Sequence, residues 1–242
     1  MTLKEISDSR PLGRPVPDWK APPAPSGEPL CGAYAEIEAL DPDRHAAALF
    51  EAFAGHDSVW DYLPYGPFDT REAYADWTRK VAEDPALRFY AIRNLASMRW
   101  EGVASFLRID PPAGSIEVGH INFSPALQRT RAATEAMYLM MDWAFSRGYR
   151  RYEWKCNALN GGSRRAAARL GLSFEGIFRN HLVVKGRNRD TAWFAATSED
   201  WPALKEAFGA WLTPSNFDAR GMQIRSLASL TEPVLVARDP AG

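Results

Sequence analysis

The chain has 242 residues, and 29 lysines and arginines against 30 aspartates and glutamates give it a net charge of -1. This balance argues against wholesale binding of nucleic acid or of an anionic membrane, and leaves room only for a local basic site. The first ten residues, MTLKEISDSR, contain no apolar signal core, and no later run approaches the ~20 apolar residues of a membrane span. Two cysteines, Cys31 and Cys156, fit a reducing compartment. We therefore expect a soluble cytoplasmic protein.

Proline density separates the first 30 residues from the rest of the chain. Seven of the 18 prolines lie in residues 1–30, and proline has no backbone N–H to donate, so this leader is predicted to run extended over the surface. Residues 31–212 alternate between helix and strand periodicity and form the predicted domain. Residues 213–242 have short apolar alternations and are predicted to pack on that domain, where they cover a cleft or make a dimer contact.

The predicted domain opens with a strand, two helices and three more strands. The strand is CGAYAEIEAL; the helices are DPDRHAAALFEAF, with Asp41 as N-cap, and TREAYADWTRKVAED, with Thr70 as N-cap. The strand-like runs RFYAIRN, WEGVASFLRID and SIEVGHINF follow, separated by turn residues. In the last of them, Gly119 fits a bulge or a close backbone approach, or only a packing irregularity.

A long helix, a strand, a short helix, two strands and a final helix complete the domain. The strand RRYEWKCN alternates polar and apolar side chains, so Arg151, Glu153, Lys155 and Asn157 share one face. Cys156 lies on the apolar face and is predicted to be core, not a nucleophile. The element order is an antiparallel meander followed by a βαβ crossover, which predicts an α+β (mixed α/β) fold with about seven strands flanked by helices.

This order resembles that of the GCN5-related N-acetyltransferases, the GNAT superfamily. The run NALNGGSRRAAARLGLSFEGIFR is similar to the Asn-x-x-Ser, helix, Leu-Gly, Glu-Gly sequence of the RimJ/RimL-like branch, which acetylates ribosomal proteins. The resemblance covers most of the body, from WDYLPYGPF onward. It implies a splayed, mostly antiparallel sheet and an enzyme that acts as a monomer or homodimer, without metal, nucleic acid or membrane.

The resemblance also implies a reaction. An acetyl group would move from acetyl-CoA to a primary amine, of a protein N-terminus or a small molecule, by direct attack in a ternary complex. Two alternatives stay open: transfer of another acyl group, such as succinyl, on the same fold, or a non-catalytic module that binds a coenzyme A-like ligand.

The stretch NFSPALQRTRAATEA joins a strand to the long helix through a basic loop. A helix start offers free N–H groups and a positive dipole end, which favour an anion. In the family this junction carries Gln/Arg-x-x-Gly-x-Gly/Ala, whose amides hold the pyrophosphate of coenzyme A. Gln128 and Ala133 match that pattern, but Arg131 stands at the inner glycine. Arginine lacks the freedom of glycine at positive φ, so Arg131 either crowds the pyrophosphate or reaches a phosphate, as Arg129 could.

The predicted cofactor-binding residues extend this loop in both directions. The alternative is an exposed basic helix start without a ligand. The full predicted set is Ile121, Asn122, Phe123, Gln128, Arg129, Thr130, Arg131, Ala132, Ala133, Thr134, Asn157, Asn160 and Ser163.

Ser163, His181 and Glu153 are the predicted catalytic residues. By resemblance Ser163 hydrogen-bonds or protonates the departing thiolate, and Asn160 contacts the pantetheine arm; otherwise they are a first-turn residue and a helix N-cap. Leu182 stands where alanine-acetylating members of the branch carry a glutamate, so the adjacent His181 is the closest replacement, with an unperturbed pKa near 6.5. Glu153 acts as a base through water, or forms a salt bridge with Lys155.

Further candidates lie on the substrate side. Glu117 and His120 are lesser options for the base. The segment HDSVWDYLPYGPFD, residues 56–69, is predicted to wall the acceptor cleft. Its side chains Trp60, Tyr62 and Tyr65 either stack on an acceptor or plug the edge of the core.

Overall fold

Eight strands and six α-helices form in residues 12–241, which the computed structural model describes; residues 1–11, part of the predicted leader, and residue 242 lie outside the described residues. The strands are β1 Leu30–Cys31, β2 Ala35–Ala39, β3 Arg88–Asn94, β4 Arg99–Asp110, β5 Ser115–Phe123, β6 Arg151–Asn157, β7 Ser173–Val184 and β8 Arg187–Thr197. The helices are α1 Pro42–Phe53, α2 Arg71–Glu83, α3 Arg131–Ser146, α4 Gly161–Arg169, α5 Trp201–Leu212 and α6 Leu227–Thr231.

All eight strands belong to one sheet, in the order β1-β2-β3-β4-β5-β6-β8-β7. Neighbouring strands are antiparallel except β5 and β6, which are parallel. The predicted mixed fold with a mostly antiparallel sheet is therefore confirmed. The prediction of about seven strands is one short, because CGAYAEIEAL does not form a single strand.

That segment turns back on itself between β1 and β2. Gly32 N–H donates to Ala35 O at 2.9 Å. The carboxylate of Glu135, buried on α3, accepts the backbone N–H groups of Ala33, Tyr34 and Ala35 at 2.9, 2.5 and 2.7 Å. A side chain 100 residues away thus replaces the strand partner that these N–H groups would otherwise need.

The two faces of the sheet are covered differently. Helix α3 packs on one face, where the apolar residues of β6 (Tyr152, Trp154 and Cys156) join a buried core. Helices α1 and α2 cover the other face only beside β3 and β4, with a second core rich in aromatic residues. The polar residues of β6 point to this second face because side chains alternate along a strand. The part of the face beyond α1 and α2 is therefore left for polar groups.

The helix starts follow local sequence rules. Asp41 caps α1 by accepting the N–H groups of Asp43 and Arg44, and Thr70 caps α2 by accepting that of Ala73. Both caps confirm the predictions. Helix α4 begins at Gly161, with Asn160 as the N-cap that the sequence indicated.

The segments on either side of residues 31–212 contact the sheet and its helices. Trp19 donates through Nε1 to Pro112 O at 3.0 Å. At the other end, Leu227 is fully buried, and Asp239 forms a buried ion pair with Arg164. The division into leader, domain and extension stays a prediction. Within residues 12–241 no helix is both long and apolar enough to cross a membrane.

The turn between β1 and β2 yields a stability prediction. Glu135→Ala removes the acceptor of three backbone N–H groups in a buried place, and should lower the free energy of unfolding by about 2–4 kcal/mol. Urea denaturation measures this loss. Glu206→Ala, on the exposed side of α5, is the matched control and should stay within about 0.5 kcal/mol of wild type. Equal losses in the two variants would contradict the role given to Glu135.

Candidate active site

The parallel strands β5 and β6 separate along their length. They pair only from Ser115 to Val118 and from Arg151 to Trp154. Beyond these pairs, residues 119–123 bond to β4 on one side and residues 155–157 bond to β8 on the other. The two edges that face each other are therefore open, and a wedge-shaped gap lies between them.

A β-bulge in β5 starts where the gap starts. The register of β4 and β5 shifts between the pairs Ser105–Gly119 and Val103–Asn122. The bulge predicted at Gly119 is present, but the left-handed residue is His120, with φ 51°. Gly119 instead allows close packing, because an added Cβ would lie 2.9 Å from Cδ2 of Leu107.

Two helix N-termini lie at the open end of the gap. Because β5 and β6 are parallel, α3 and α4 start at the same edge of the sheet. Thr130 caps α3 and accepts the N–H of Ala133 at 3.1 Å. In the described chain, the N–H groups of Arg131 and Ala132 have no acceptor. A helix start with free N–H groups is a binding place for an anion.

The loop before α3 does not need the missing glycine. Arg131 is the first residue of the helix, and the left-handed residue is Arg129, with φ 62°. The Arg131 guanidinium lies over the ring of Phe217 at 3.7 Å and faces that of Tyr34 at 5.4 Å. The C-terminal segment therefore holds this side chain by cation–π contacts. A phosphate contact of Arg131 stays a prediction.

Ser163 lies in the first turn of α4, against β6. Asn160 Oδ1 accepts its N–H at 3.0 Å, and Trp154 Nε1 donates to its Oγ at 2.9 Å. The neighbouring thiol of Cys156 is buried, and burial raises its pKa despite a hydrogen bond with Ser163. Cys156 is thus an interior residue, as predicted.

The same turn is fixed from outside by the C-terminal segment. Arg164 follows Ser163 and donates through Nε to Asp239 Oδ2 at 2.7 Å and through Nη1 to Ala158 O at 2.8 Å. Both side chains of the pair are buried. Since breaking a buried ion pair leaves an uncompensated charge, this contact restrains the start of α4.

Four more predicted cofactor residues lie in or just after β5. Asn122 is 2% exposed and faces the same side as Val103, and within residues 12–241 its Nδ2 has no hydrogen-bond partner. Ile121 and Phe123 pack toward the core under α3. Gln128 Nε2 donates to Phe123 O at 2.8 Å and braces the loop. The predicted ligand contacts of these residues stay predictions.

His120 contacts the segment predicted to wall the acceptor cleft. Its Nδ1 lies 2.9 Å from the hydroxyl of Tyr65, and the two rings stack with centres 5.6 Å apart. Burial, with the charges of Arg108 and Arg189, lowers the pKa of His120 to about 4. The imidazole is therefore neutral at pH 7. From the sequence, His120 was only a lesser option for the base, because its contact with Tyr65 spans 55 positions and leaves no local signal.

His181 lies on β7, the strand at one edge of the sheet. It belongs to an irregular stretch of β7 between Phe178 and Leu182. Its Nδ1 is 3.0 Å from Thr191 Oγ1, which also accepts from Nε of Arg189 at 3.3 Å. His181 thus forms a polar cluster with two residues of β8, and its catalytic role stays a prediction.

Glu153 belongs to a row of alternating charges across the second face of the sheet. In order along the row they are Arg108, Glu117, Lys155, Glu153, Arg151 and Glu175. Each adjacent pair is separated by 2.5 to 2.9 Å. Burial raises the pKa of Glu153, but hydrogen bonds from Arg151 and Lys155 outweigh it and lower the pKa overall. This geometry favours the salt-bridge alternative for Glu153 over a base.

The segment 56–69 bridges the two sides of the cleft. Tyr62 donates its hydroxyl to Leu159 O at 3.2 Å, and Lys185 of the β7–β8 hairpin donates to Trp60 O at 2.9 Å. Trp60 is only 3% exposed and packs with Phe68 and other aromatic side chains. Of the three aromatic candidates, Trp60 therefore packs in the edge of the core, whereas Tyr65 contacts His120.

A protein-family model, that of the acetyltransferase (GNAT) domain, matches residues 36–173 of the sequence. The chain belongs to the GNAT family. A solved GCN5-related N-acetyltransferase from Brucella melitensis is 42% identical, with a TM-score of 0.88 over 90% of this chain and 100% of that one. A probable GNAT acetyltransferase from Chromobacterium violaceum ATCC 12472 is 40% identical, with a TM-score of 0.76 over 80% of this chain and 98% of that one. No curated protein matches the sequence.

Membership of the RimJ/RimL-like branch is a narrower assignment than membership of the GNAT family. A solved acetyl transferase from Salmonella typhimurium modifies the N-terminal serine of ribosomal protein L7/L12. It is 20% identical to this GNAT chain, with a TM-score of 0.61 over 70% of this chain and 99% of that one. At this identity the likeness shows the fold alone.

Buried His45 and half-buried His120 of this GNAT domain predict a loss of stability in acid. The pKa values of His45 and His120 are lowered to about 4, mainly by burial, against about 6.5 in an unfolded chain. The unfolded state therefore binds more protons between these values, and the free energy of unfolding falls as the pH drops from about 7 to about 4. At pH 5 each histidine should cost at most about 2 kcal/mol.

Urea denaturation at pH 7 and pH 5 checks the acid effect. His45→Gln and His120→Gln should each remove about half of the difference between the two pH values, and the double variant most of it. An unchanged difference in the double variant would show that other groups cause the acid loss.

Proposed function

We propose that this chain transfers the acetyl group of acetyl-CoA to a primary amine, on a protein N-terminus or a small molecule, by direct attack in a ternary complex. The gap between β5 and β6, with two helix N-termini at its open end, is the observation that carries the proposal. A family of acetyltransferases supports acetyl transfer in general. We further propose a cytoplasmic location.

The residues at the gap fit the parts of acetyl-CoA. The free N–H groups of Arg131 and Ala132 suit the pyrophosphate, as charge-assisted hydrogen-bond donors at a helix start. The open edge of residues 119–123 offers backbone groups to the amides of the pantetheine arm and to the thioester carbonyl. The co-substrate supplies an activated acetyl group on sulfur. The chain has to orient it and provide for two proton movements.

Ser163 is suited to the leaving thiolate. Its Oγ accepts a hydrogen bond from Trp154, and the hydroxyl still has its own proton to donate. A hydroxyl that accepts one hydrogen bond also becomes a better donor, because bonds in a chain polarise one another. We propose that Ser163 donates a hydrogen bond to the sulfur as its negative charge grows.

The proton of the attacking amine needs an acceptor in the cleft. A neutral imidazole can take it, and the candidates are His120 on β5 and His181 on β7. His120 is neutral at pH 7 because of its lowered pKa, and it lies two residues beyond Val118, the last residue of β5 that pairs with β6. Its position therefore favours His120 as the proton acceptor, with His181 as the alternative from the sequence.

Binding and turnover of acetyl-CoA test the proposed function. Calorimetry should show binding of acetyl-CoA, and a panel of amines and peptides should release free thiol. Arg131→Glu places a negative charge at the helix start and should weaken binding by about 1–3 kcal/mol. Arg131→Gly should cost much less, because the backbone N–H groups remain. Binding without thiol release from any amine would identify a non-catalytic module, and a preference for succinyl-CoA would identify another acyl transferase.

Ser163→Ala tests the chemical step separately. The contact with sulfur matters mostly in the transition state, so kcat should fall by roughly tenfold to a thousandfold. The KM for acetyl-CoA should change by less than about threefold, because the phosphate and pantetheine contacts remain. Ser163→Cys should recover part of the rate, and the exposed Ser198→Ala is a control with wild-type kinetics. Full kcat in Ser163→Ala with a lower melting temperature would reduce Ser163 to a structural residue.

A further inference from the structure

One arginine of the acceptor cleft lacks a negatively charged partner. The row of six charges that runs from Arg108 to Glu175 contains three cations and three anions, and is neutral as a whole. Arg189 lies on the same face of the sheet but outside this row. In the described part of the chain it forms no ion pair, and its one side-chain hydrogen bond runs from Nε to Thr191 Oγ1 at 3.3 Å. Both terminal nitrogens of its guanidinium are left to bind something else.

The position of Arg189 follows from strand register. Trp193 pairs with Lys155 across β6 and β8, and Arg189 lies four residues before Trp193, so alternation places all three side chains on one face. Lys185, at the tip of the same hairpin, donates to Trp60 O and ties the hairpin to the segment 56–69. Arg189 therefore lies on the second face of the sheet, in the hairpin that contacts the segment 56–69.

The surroundings make the unpaired charge costly. Arg189 is half-buried, and burial lowers its pKa overall. Cys156 and the negative charge of Glu117 oppose this lowering of the pKa without outweighing it, and the charge of Arg108 adds to it. The charge of Arg189 contributes to the lowered pKa of His120, so it acts on the imidazole at the mouth of the gap. A half-buried cation without a counter-ion gains most from a ligand that brings the missing negative charge.

The hairpin adds a longer-range field of the same sign. Residues 179–190, RNHLVVKGRNRD, contain four basic residues and one acidic residue, whereas the whole chain has a net charge of -1. Positive charge is thus concentrated on this hairpin. Such a surface raises the local concentration of anions and steers them toward it.

We propose that Arg189 binds an anionic group, a carboxylate or a phosphate, on the acceptor, so that the preferred acceptor is an amine that carries a negative charge. This inference rests on the proposed function and names the class of its acceptor. Arg189 acts as a specificity-determining residue: it holds the anionic group while the amine faces the gap, and it takes no part in the transfer. A guanidinium suits this task because it donates two parallel hydrogen bonds to a carboxylate or a phosphate.

Matched pairs of amines test the proposal on the full chain. β-Alanine is compared with β-alaninamide, and phosphoethanolamine with ethanolamine, in a thiol-release assay with saturating acetyl-CoA. In at least one pair the anionic member should have a kcat/KM at least about tenfold higher, mainly through a lower KM. The two pairs also distinguish a carboxylate from a phosphate site.

Three variants locate the effect. Arg189→Gln should reduce the preference to less than about threefold, and Arg189→Lys should keep most of it. Arg187→Gln is the matched control, since Arg187 is an exposed arginine on the same strand, and should keep the preference within about twofold. A preference that survives in Arg189→Gln, or neutral amines that are favoured in the wild type, would overturn the proposal.

A binding measurement separates this inference from the proposed function. The same four compounds are titrated by calorimetry into the protein saturated with coenzyme A. Tighter binding of an anionic member that is lost in Arg189→Gln supports the site, even when no amine is acetylated and the proposed function fails. Equal or absent binding of both members in both pairs overturns the anionic subsite, even when other amines are acetylated.

Discussion

The early end of the pairing between β5 and β6 is the constraint on which the candidate site depends. Four pairs of residues hold the two strands together, and then the strands diverge. The divergence leaves two rows of backbone groups without strand partners inside a folded domain. Such groups are costly unless a ligand or water meets them, so the gap has a chemical use that a closed sheet would lack. Because the strands are parallel, the same event also brings two helix N-termini to one place.

Long-range polar contacts keep the gap from closing or twisting shut. On the β5 side, the bulge at His120 redirects the strand, and Tyr65 contacts the redirected side chain. On the β6 side, the ion pair of Arg164 and Asp239 restrains the helix that follows. Each contact joins residues far apart in the chain. The shape of the site is therefore a property of the whole fold and not of one motif.

The division between what the sequence could and could not predict follows from this dependence on distance along the chain. Caps such as Asp41, Thr70 and Asn160 bond to N–H groups within three residues, and side chains of β6 alternate between the two faces every second residue. Both features could therefore be predicted from the sequence. The break in CGAYAEIEAL could not be predicted from the sequence, because the group that stabilises it, Glu135, lies about 100 residues further along the chain. A bulge or a close backbone approach was predicted at Gly119, but nothing in the local sequence indicated that the residue at positive φ is His120, whose contact with Tyr65 spans 55 positions. In the same way, the contact of Arg131 with Phe217 required the folded C-terminal segment.

Positive charge in the cleft has two effects that act together. Burial is the main cause of the lowered pKa of His120, and the charges of Arg108 and Arg189 lower it further because they disfavour another cation nearby. The same potential acts on an ammonium group placed beside His120, and so favours the neutral amine that can attack a thioester. A cleft that only repelled cations would also repel the protonated acceptor in solution. An anionic group on the acceptor resolves this conflict, since it is drawn to Arg189 while the amine, a few bonds away, still experiences the positive field of the remaining charges.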